Sequence, residues 1–548
     1  MLAGLAVSLA SAQQAPLLDI LKDELDRNFR VLKEKGDPAP YFMAYAVTEE
    51  ESQALSCTLG ASQGVSRTHN RYLDVTVRVG SPKLDNYRRI RGDFPHFTSG
   101  VAISIDDNVD SIRHRLWLET DRVYRLAAER LIKIRTDEQV KVAETDASGD
   151  FSAEEPSAHT ESLPRLRFAT DDFLARARQW SAQFNQHPTI LASNLAVSAN
   201  RERRYLVSTE GTRLEHGRGF ASLVITARTK APDGMDLADM DNFQVEDPSR
   251  LPPDAVVHDA VERVAKELEA LAAAPLVEPF VGPAILSGRA AGVFFHEIFG
   301  HRIEGHRQKD ESEGQTFTKS VGKPVLPPFL SVVFDATRRT LGPTDLNGWY
   351  LYDDEGIPAR PVPVVQNGIL KGFLMSRAPL QNFPHSNGHG RRQPGAEVVS
   401  RQSNLFVEST NQVSEARLRE MLIAEVRRQN KPYGLYFERV TGGYTTTGRS
   451  GIQAFKVMPL VVYRVFADAR PDQLVRGVDI VGTPLASFAK ILATSDRPEV
   501  FNGICGAESG NVPVSAVSPA LLVSEIEVQK KTRSQDRPPL LPRPGGKP

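Results

Sequence analysis

Cysteine is nearly absent: the 548-residue chain has two, Cys57 and Cys505. That excludes a scaffold stapled by many disulfides. Two thiols leave open one pairing in an oxidising compartment, or a thiolate held by zinc, which suits Cys505. Cys57 lies in a Ser-rich stretch and reads as a bystander. Net charge is almost absent too, at −1. No strong electrostatic pull toward nucleic acid or an anionic membrane follows from it. Runs of about 18 apolar residues are missing, so no membrane-spanning helix is predicted. Nor is there a short-period internal repeat.

What is present is ordinary for a folded chain, with 40% hydrophobic and 25% charged residues. The length exceeds what one core serves, so two or three domains are expected. Residues 1–12, MLAGLAVSLASA, read as the remnant of a secretory signal peptide, with small residues at Ala10 and Ala12 before a polar switch. A basic leading region is missing, which puts the true start upstream. This predicts export to a periplasmic or extracellular location, with the cytoplasm as the alternative.

Periodicity predicts an α+β protein. Residues 15–275 form a mixed α/β domain, with helices over Leu17–Lys35, Asp121–Arg135, Asp171–Phe184 and Asp254–Ala274. Strands are expected at Tyr41–Val47 and Tyr72–Val79, and a meander over Asn194–Thr229. Three prolines between Pro275 and Pro283 close that domain. Residues 280–530 form a β-rich domain with strand-like runs at Val325–Phe334, Val362–Met375, Glu397–Val407, Gly434–Thr441, Ile452–Phe466 and Leu521–Val528. Two helices interrupt it, one of them Ser414–Gln429. Residues 531–548, Pro-rich and basic, read as a disordered tail.

The other helix carries HEIFGHRIEGH, His296 to His306. Imidazole nitrogens suit zinc, and a neighbouring carboxylate, Glu297, can take a proton from an activated water. The spacing is HExxxH. Positions i and i+5 of a regular α-helix lie about 140° apart, so both histidines face one ion only if the helix is distorted. An extra residue in a π-bulge would do this, eased by Gly300. So short a pattern also arises by chance.

AGVFFHEIFGHRIEG resembles the metal-binding helix of the TldD/PmbA family of zinc-dependent peptidases. Four further segments agree in order: Tyr352–Arg377, Asn387–Pro394, Gly434–Phe455 and Ile504–Val528. The resemblance covers residues 280–530, while the N-terminal half agrees only in general organisation. It implies a zinc ion held by His296, His301 and Cys505, with Glu297 as general base. It also implies hydrolysis of peptide bonds in unfolded or flexible polypeptides, by a homodimer or a heterodimer with a metal-free PmbA-like subunit. Two other readings stand beside it: an inert partner or scaffold subunit of such a complex, and a zinc amidase acting on small amides. The family more often has aspartate at His306. That histidine could rival Cys505 as third ligand, or support the site from behind as Glu304 would.

His389, Arg391 and Arg392 sit in a Gly-containing loop that either contacts a peptide carboxylate or carbonyl, since arginine makes forked contacts, or is an ordinary solvated loop. Gly442 and Gly443 would let a peptide backbone come close, beside Tyr444. Asp353, Asp354 and Glu355 form an acidic turn with calcium binding as the alternative.

Overall fold

The structure is a computed structural model describing residues 16–90, 93–138, 146–162, 165–449, 454–468, 470–482 and 487–531, with Leu541 and isolated neighbours of the tail. The signal-like segment 1–12 lies outside the described residues, as does most of the tail 531–548.

In the N-terminal half, alternation along each strand divides two faces. Tyr72–Val79 shows the rule: Leu73, Val75, Val77 and Val79 are buried in an apolar core, while Asp74 and Arg78 point the other way. The strand is longer than its apolar part. Pro40–Thr58 and Ala61–Ser81 make one long hairpin; the distal half of its second strand is polar and exposed, while the first still buries Leu55 and Cys57 there. Ala192–Ser208 pairs beside the first of these, then Arg213–Lys230, then Asp236–Val245, within an eight-stranded sheet among the described residues. Helices α1 (Leu17–Lys35) and α2 (Val109–Glu138) cover the apolar face at one end. Helices α3 (Thr170–Ala182) and α4 (Asp254–Ala273) cover it at the other, where Cys57 is buried beside Trp180 and Leu195.

The charged face docks onto the second half. Arg204 pairs with Asp354, and Arg218 Nη1 donates to the carbonyls of Asn347 and Trp349 at 2.8 and 3.1 Å. Arg377 Nη1 meets Glu210 at 2.7 Å. Buried charges of this kind are tolerated only when paired.

In the second half five strands close on themselves. Phe280–Leu286 pairs with Gly434–Thr445, followed by Phe455–Val465, Val478–Gly482 and Gly510–Lys530, and the last pairs back with Phe280–Leu286. Helix α5 (Gly288–Ile298) packs on one face of this ring, burying Phe294 and Ile298 against Leu286, Phe437 and Leu521. On the opposite face lies α7 (Glu415–Arg428), against Ile285, Val465 and Leu522; the short α6 (His306–Lys309) follows the metal motif. The run Val362–Met375 breaks into a hairpin, because Asn367 and Gly368 both adopt positive φ, 48° and 79°. Val478–Gly482 and Ile491–Ala507 are further strands that the sequence reading did not mark. No helix among the described residues is long and apolar enough to cross a membrane.

Candidate metal centre

Helix α5 starts at Ser287, whose hydroxyl accepts from Ala290 N at 3.2 Å. Gly292 lets it lie close to the long strand, since a Cβ there would sit 3.1 Å from Ala516. The helix stops at Ile298 and does not widen. Phe299 takes φ −104° and ψ −53°, and Gly300–Ile303 form a 3-10 turn that carries His301. The expected π-bulge is therefore replaced by a helix stop that swings the second histidine round. The stop leaves carbonyls without helical partners. Arg302 Nη1 donates to the carbonyls of Glu297 and Ile298 at 3.0 and 3.1 Å, and Gln402 Nε2 donates to that of His296 at 3.3 Å. Gly300 is required because the Gln402 amide fills the place of its Cβ, 1.9 Å away.

The two imidazoles meet edge to face, with centroids 5.0 Å apart. Cys505 arrives from the strand Ile491–Ala507, just before its hairpin with Gly510–Lys530, and its Sγ lies 3.4 Å from His301 Nε2. Donor atoms of His296, His301 and Cys505 all lie within 4.8 Å of one another. Zinc bonds of ordinary length at a tetrahedral angle set a nitrogen and a sulfur about 3.5 Å apart. Two nitrogens, one sulfur and an open side facing a cavity thus fit zinc. His306 does not join them. Its Nε2 is hydrogen-bonded to Glu508, and burial lowers its pKa, so the candidate donor set is His296, His301 and Cys505.

Glu304, fully buried, receives Arg307 Nε at 2.8 Å and faces His301 Nδ1 at 3.3 Å. Burial opposes its charge, yet His301 and Arg307 hold its carboxyl down at about 2. It fixes the ring of His301 from behind. Burial likewise opposes the Cys505 thiolate, but His301 and His296 bring its pKa well below the usual thiol value. Arg401, which belongs to no motif, donates from Nη2 to Cys505 Sγ at 3.2 Å and to the Cys505 carbonyl at 2.7 Å. Its Nη1 reaches Ser509 Oγ and the Gly510 carbonyl, fastening the hairpin that carries the sulfur.

Glu297 is buried, and burial raises its pKa against the pull of both histidines. It stands at a cavity of about 490 Å³, lined also by Gly442, Gly443 and Tyr444. Gly443 touches the carboxylate arm directly: a Cβ there would lie 2.7 Å from Glu297 Cγ. The N-terminal half contributes Met240, Asn242 and Gln244 to the same wall.

His389, Arg391 and Arg392 do not line this cavity, contrary to expectation. All three are buried in the frame behind it. His389 Nε2 meets Ser403 Oγ at 3.0 Å, and burial pushes its pKa down to about 3. Arg391 Nη1 donates to the Gln402 carbonyl at 2.5 Å, and Arg392 faces Asp74 at 3.6 Å. Asp353 accepts from the amides of Glu355, Ile357 and Gly390, while Asp354 pairs with Arg204 and Glu355 accepts from Arg377 N. These acids are occupied as a structural turn, not as a calcium site. Cys57 and Cys505 are both unpaired, in separate cores.

Residues 281–530 match the family model described as the PmbA/TldA metallopeptidase C-terminal domain. A metalloprotease TldD homolog of Haemophilus influenzae is 29% identical over 250 residues, 45% of this chain and 48% of that one. A zinc metalloprotease TldD homolog of Saccharolobus solfataricus is 25% identical over 249 residues, 45% of this chain and 51% of that one. The matches thus span about half the length of these relatives. The crystal structure of TldE from Thermococcus kodakarensis shares the fold, with a TM-score of 0.62 at 12% identity over 93% of this chain and 100% of that one.

Proposed function

We propose, from the premise that this chain is a member of the TldD/PmbA family, that it is a zinc-dependent metallopeptidase acting on unfolded or flexible polypeptides. The observation that carries the reading is the convergence of His296, His301 and Cys505 at the wall of a cavity that also holds Glu297. When bound, the ion supplies Lewis-acid polarisation of a carbonyl and acidifies a water. The Glu297 carboxylate would take a proton from the attacking water and pass it to the leaving amine. Its raised pKa suits both transfers, because a stronger base takes a proton more readily near neutral pH. Glu304 keeps the His301 ring in register throughout.

The cavity favours an extended chain. Gly442–Thr445 pair with Met458–Phe455 on one side, and among the described residues no strand occupies their other edge. A peptide backbone can hydrogen-bond there as an added strand. Such strand addition needs a free extended backbone, which an unfolded or flexible segment offers.

The test joins metal analysis to digestion of casein and short peptides, with and without chelator. We expect about one zinc per chain, matching a single site of three protein ligands with one open position, and hydrolysis that chelation stops. Cys505→Ala should lose zinc, whereas Glu297→Ala should keep it and lose activity. Stoichiometric zinc with no hydrolysis of any peptide would refute the peptidase reading. Absence of zinc would favour an inert partner subunit.

A further inference from the structure

Three arginines reach the cavity, and two are neutralised. Arg307 meets Glu304, Glu313 and Glu508 at 2.7 to 2.8 Å. Arg439 meets Asp239 at 2.7 Å, and also Glu267. Arg289 differs. Among the described residues its guanidinium has no carboxylate partner, and its Nη2 donates to the neutral Asn242 Oδ1 at 3.3 Å. Glu499 accepts instead from the Arg289 backbone N–H at 2.9 Å. Ser287 takes the Ala290 N–H. The start of α5 is therefore satisfied, and what it offers a ligand is the Arg289 side chain. The cavity lining also brings the amides of Asn242, Gln244 and Asn502, while of its two carboxylates Glu508 is held by His306 and Arg307 and Glu297 stands beside the histidines.

Its position gives it a reach. Arg289, Val293, His296 and Glu297 line the cavity from one face of α5. Seven residues of helix put the Arg289 backbone about 10 Å from that of His296 along the axis. The side chain leans further toward the helix start. An extended peptide advances about 3.3–3.6 Å per residue. A group seated at the guanidinium thus lies about three or four residues from a carbonyl held at the metal ligands.

We infer that Arg289 anchors a carboxylate of the peptide substrate, about three or four residues from the bond that is cut. The carboxylate is the C-terminus of the chain or an acidic side chain. The inference rests on the peptidase reading and adds a substrate preference to it.

Three peptides sharing one sequence test it: the free acid, its C-terminal amide, and the amide with one internal Glu three residues from the mapped cleavage site. Turnover is measured with zinc-loaded wild type, Arg289→Gln and Arg289→Lys. Binding of the same peptides to Glu297→Gln, and to Glu297→Gln combined with Arg289→Gln, is followed by fluorescence anisotropy. One charge-assisted pair should favour a carboxylate-bearing peptide over the neutral amide by about 10- to 100-fold, expressed in KM and in binding, with kcat little changed. Arg289→Gln should remove that preference while sparing the neutral amide, and Arg289→Lys should restore part of it. Whether the free acid or the internal Glu is favoured identifies the source. Equal handling of all three peptides by wild type overturns the inference, as does an equal loss for all three in Arg289→Gln. If wild type cuts none of them, the peptidase reading fails, and the anisotropy series still decides Arg289. A carboxylate preference lost in the double variant supports the anchor, and no preference overturns it.

Discussion

Glu297 is isolated from its neighbours by what it can do without disturbing them. Glu297→Gln keeps the shape of the side chain and removes its basicity, so kcat should fall by about 10²- to 10⁴-fold with zinc content unchanged by elemental analysis. Arg401 is the opposite case. It lies fully buried between the Cys505 sulfur and Glu304. Arg401→Met should lower zinc occupancy, measured by titration against a competing chelator, and leave little to be recovered by added peptide. A third residue titrates. His389 is neutral in the folded protein because burial takes its pKa from 6.5 to about 3. Its contribution to stability is present above pH 6.5 and is lost as the pH falls toward 3, because the unfolded chain then binds the proton more readily. Thermal melts between pH 7.5 and 4 should show this loss, and His389→Gln should flatten it while lowering Tm at pH 7.5. The histidines, Glu297 and Cys505 could be picked from the sequence because their chemistry is rare and their spacing is local or matched a known pattern. Arg401 and Gln402 could not. They are ordinary polar residues whose task exists only once a distant hairpin and the end of α5 meet beside them.

At the scale of elements, most helices were legible because their apolar stripes face a single core. Strands were legible where one face is buried, and lost where both are exposed, as in the outer part of Ala61–Ser81, or where irregular pairing hides the period. Ile491–Ala507 is the costly loss, since it delivers Cys505. Its middle is exposed, and its register shifts between Thr494 and Pro498. The way α5 ends was also out of reach. A bulge and a stop both satisfy HExxxH, and the choice is made by Arg302 and Gln402 capping the freed carbonyls. The strand Gly434–Thr445 offers a test of how tightly an element can press on a reacting group. Gly443→Ala would place a methyl 2.7 Å from Glu297 Cγ and 2.8 Å from the Lys456 carbonyl. The strand cannot retreat easily from its own partner, so the carboxylate must shift. A displacement of about 1 Å costs on the order of 100-fold in rate. We expect that loss in kcat, with zinc retained.

For the whole molecule, the site belongs to both halves. The strand Asp236–Val245 supplies Met240, Asn242 and Gln244 to the cavity, and its Asp239 is tied across the junction to Arg439. Burial raises the pKa of Asp239 even beside that arginine. Arg439→Gln strands a buried acid, which should destabilise by about 3–5 kcal/mol and lower Tm. Adding Asp239→Asn should recover much of it, as a double-mutant cycle would show. The junction was invisible in the sequence, because a strand with alternating charge reads as half solvated when its charged face is in fact covered by another domain. The order of the chain has a further consequence. His301 and Cys505 are 204 residues apart, and the sulfur lies in the last hairpin of the fold. During synthesis Cys505 emerges long after both histidines, together with the strands Ile491–Ala507 and Gly510–Lys530 that complete the sheet of the second half. A nascent chain that has made both histidines but not these strands cannot yet assemble the trio of donors.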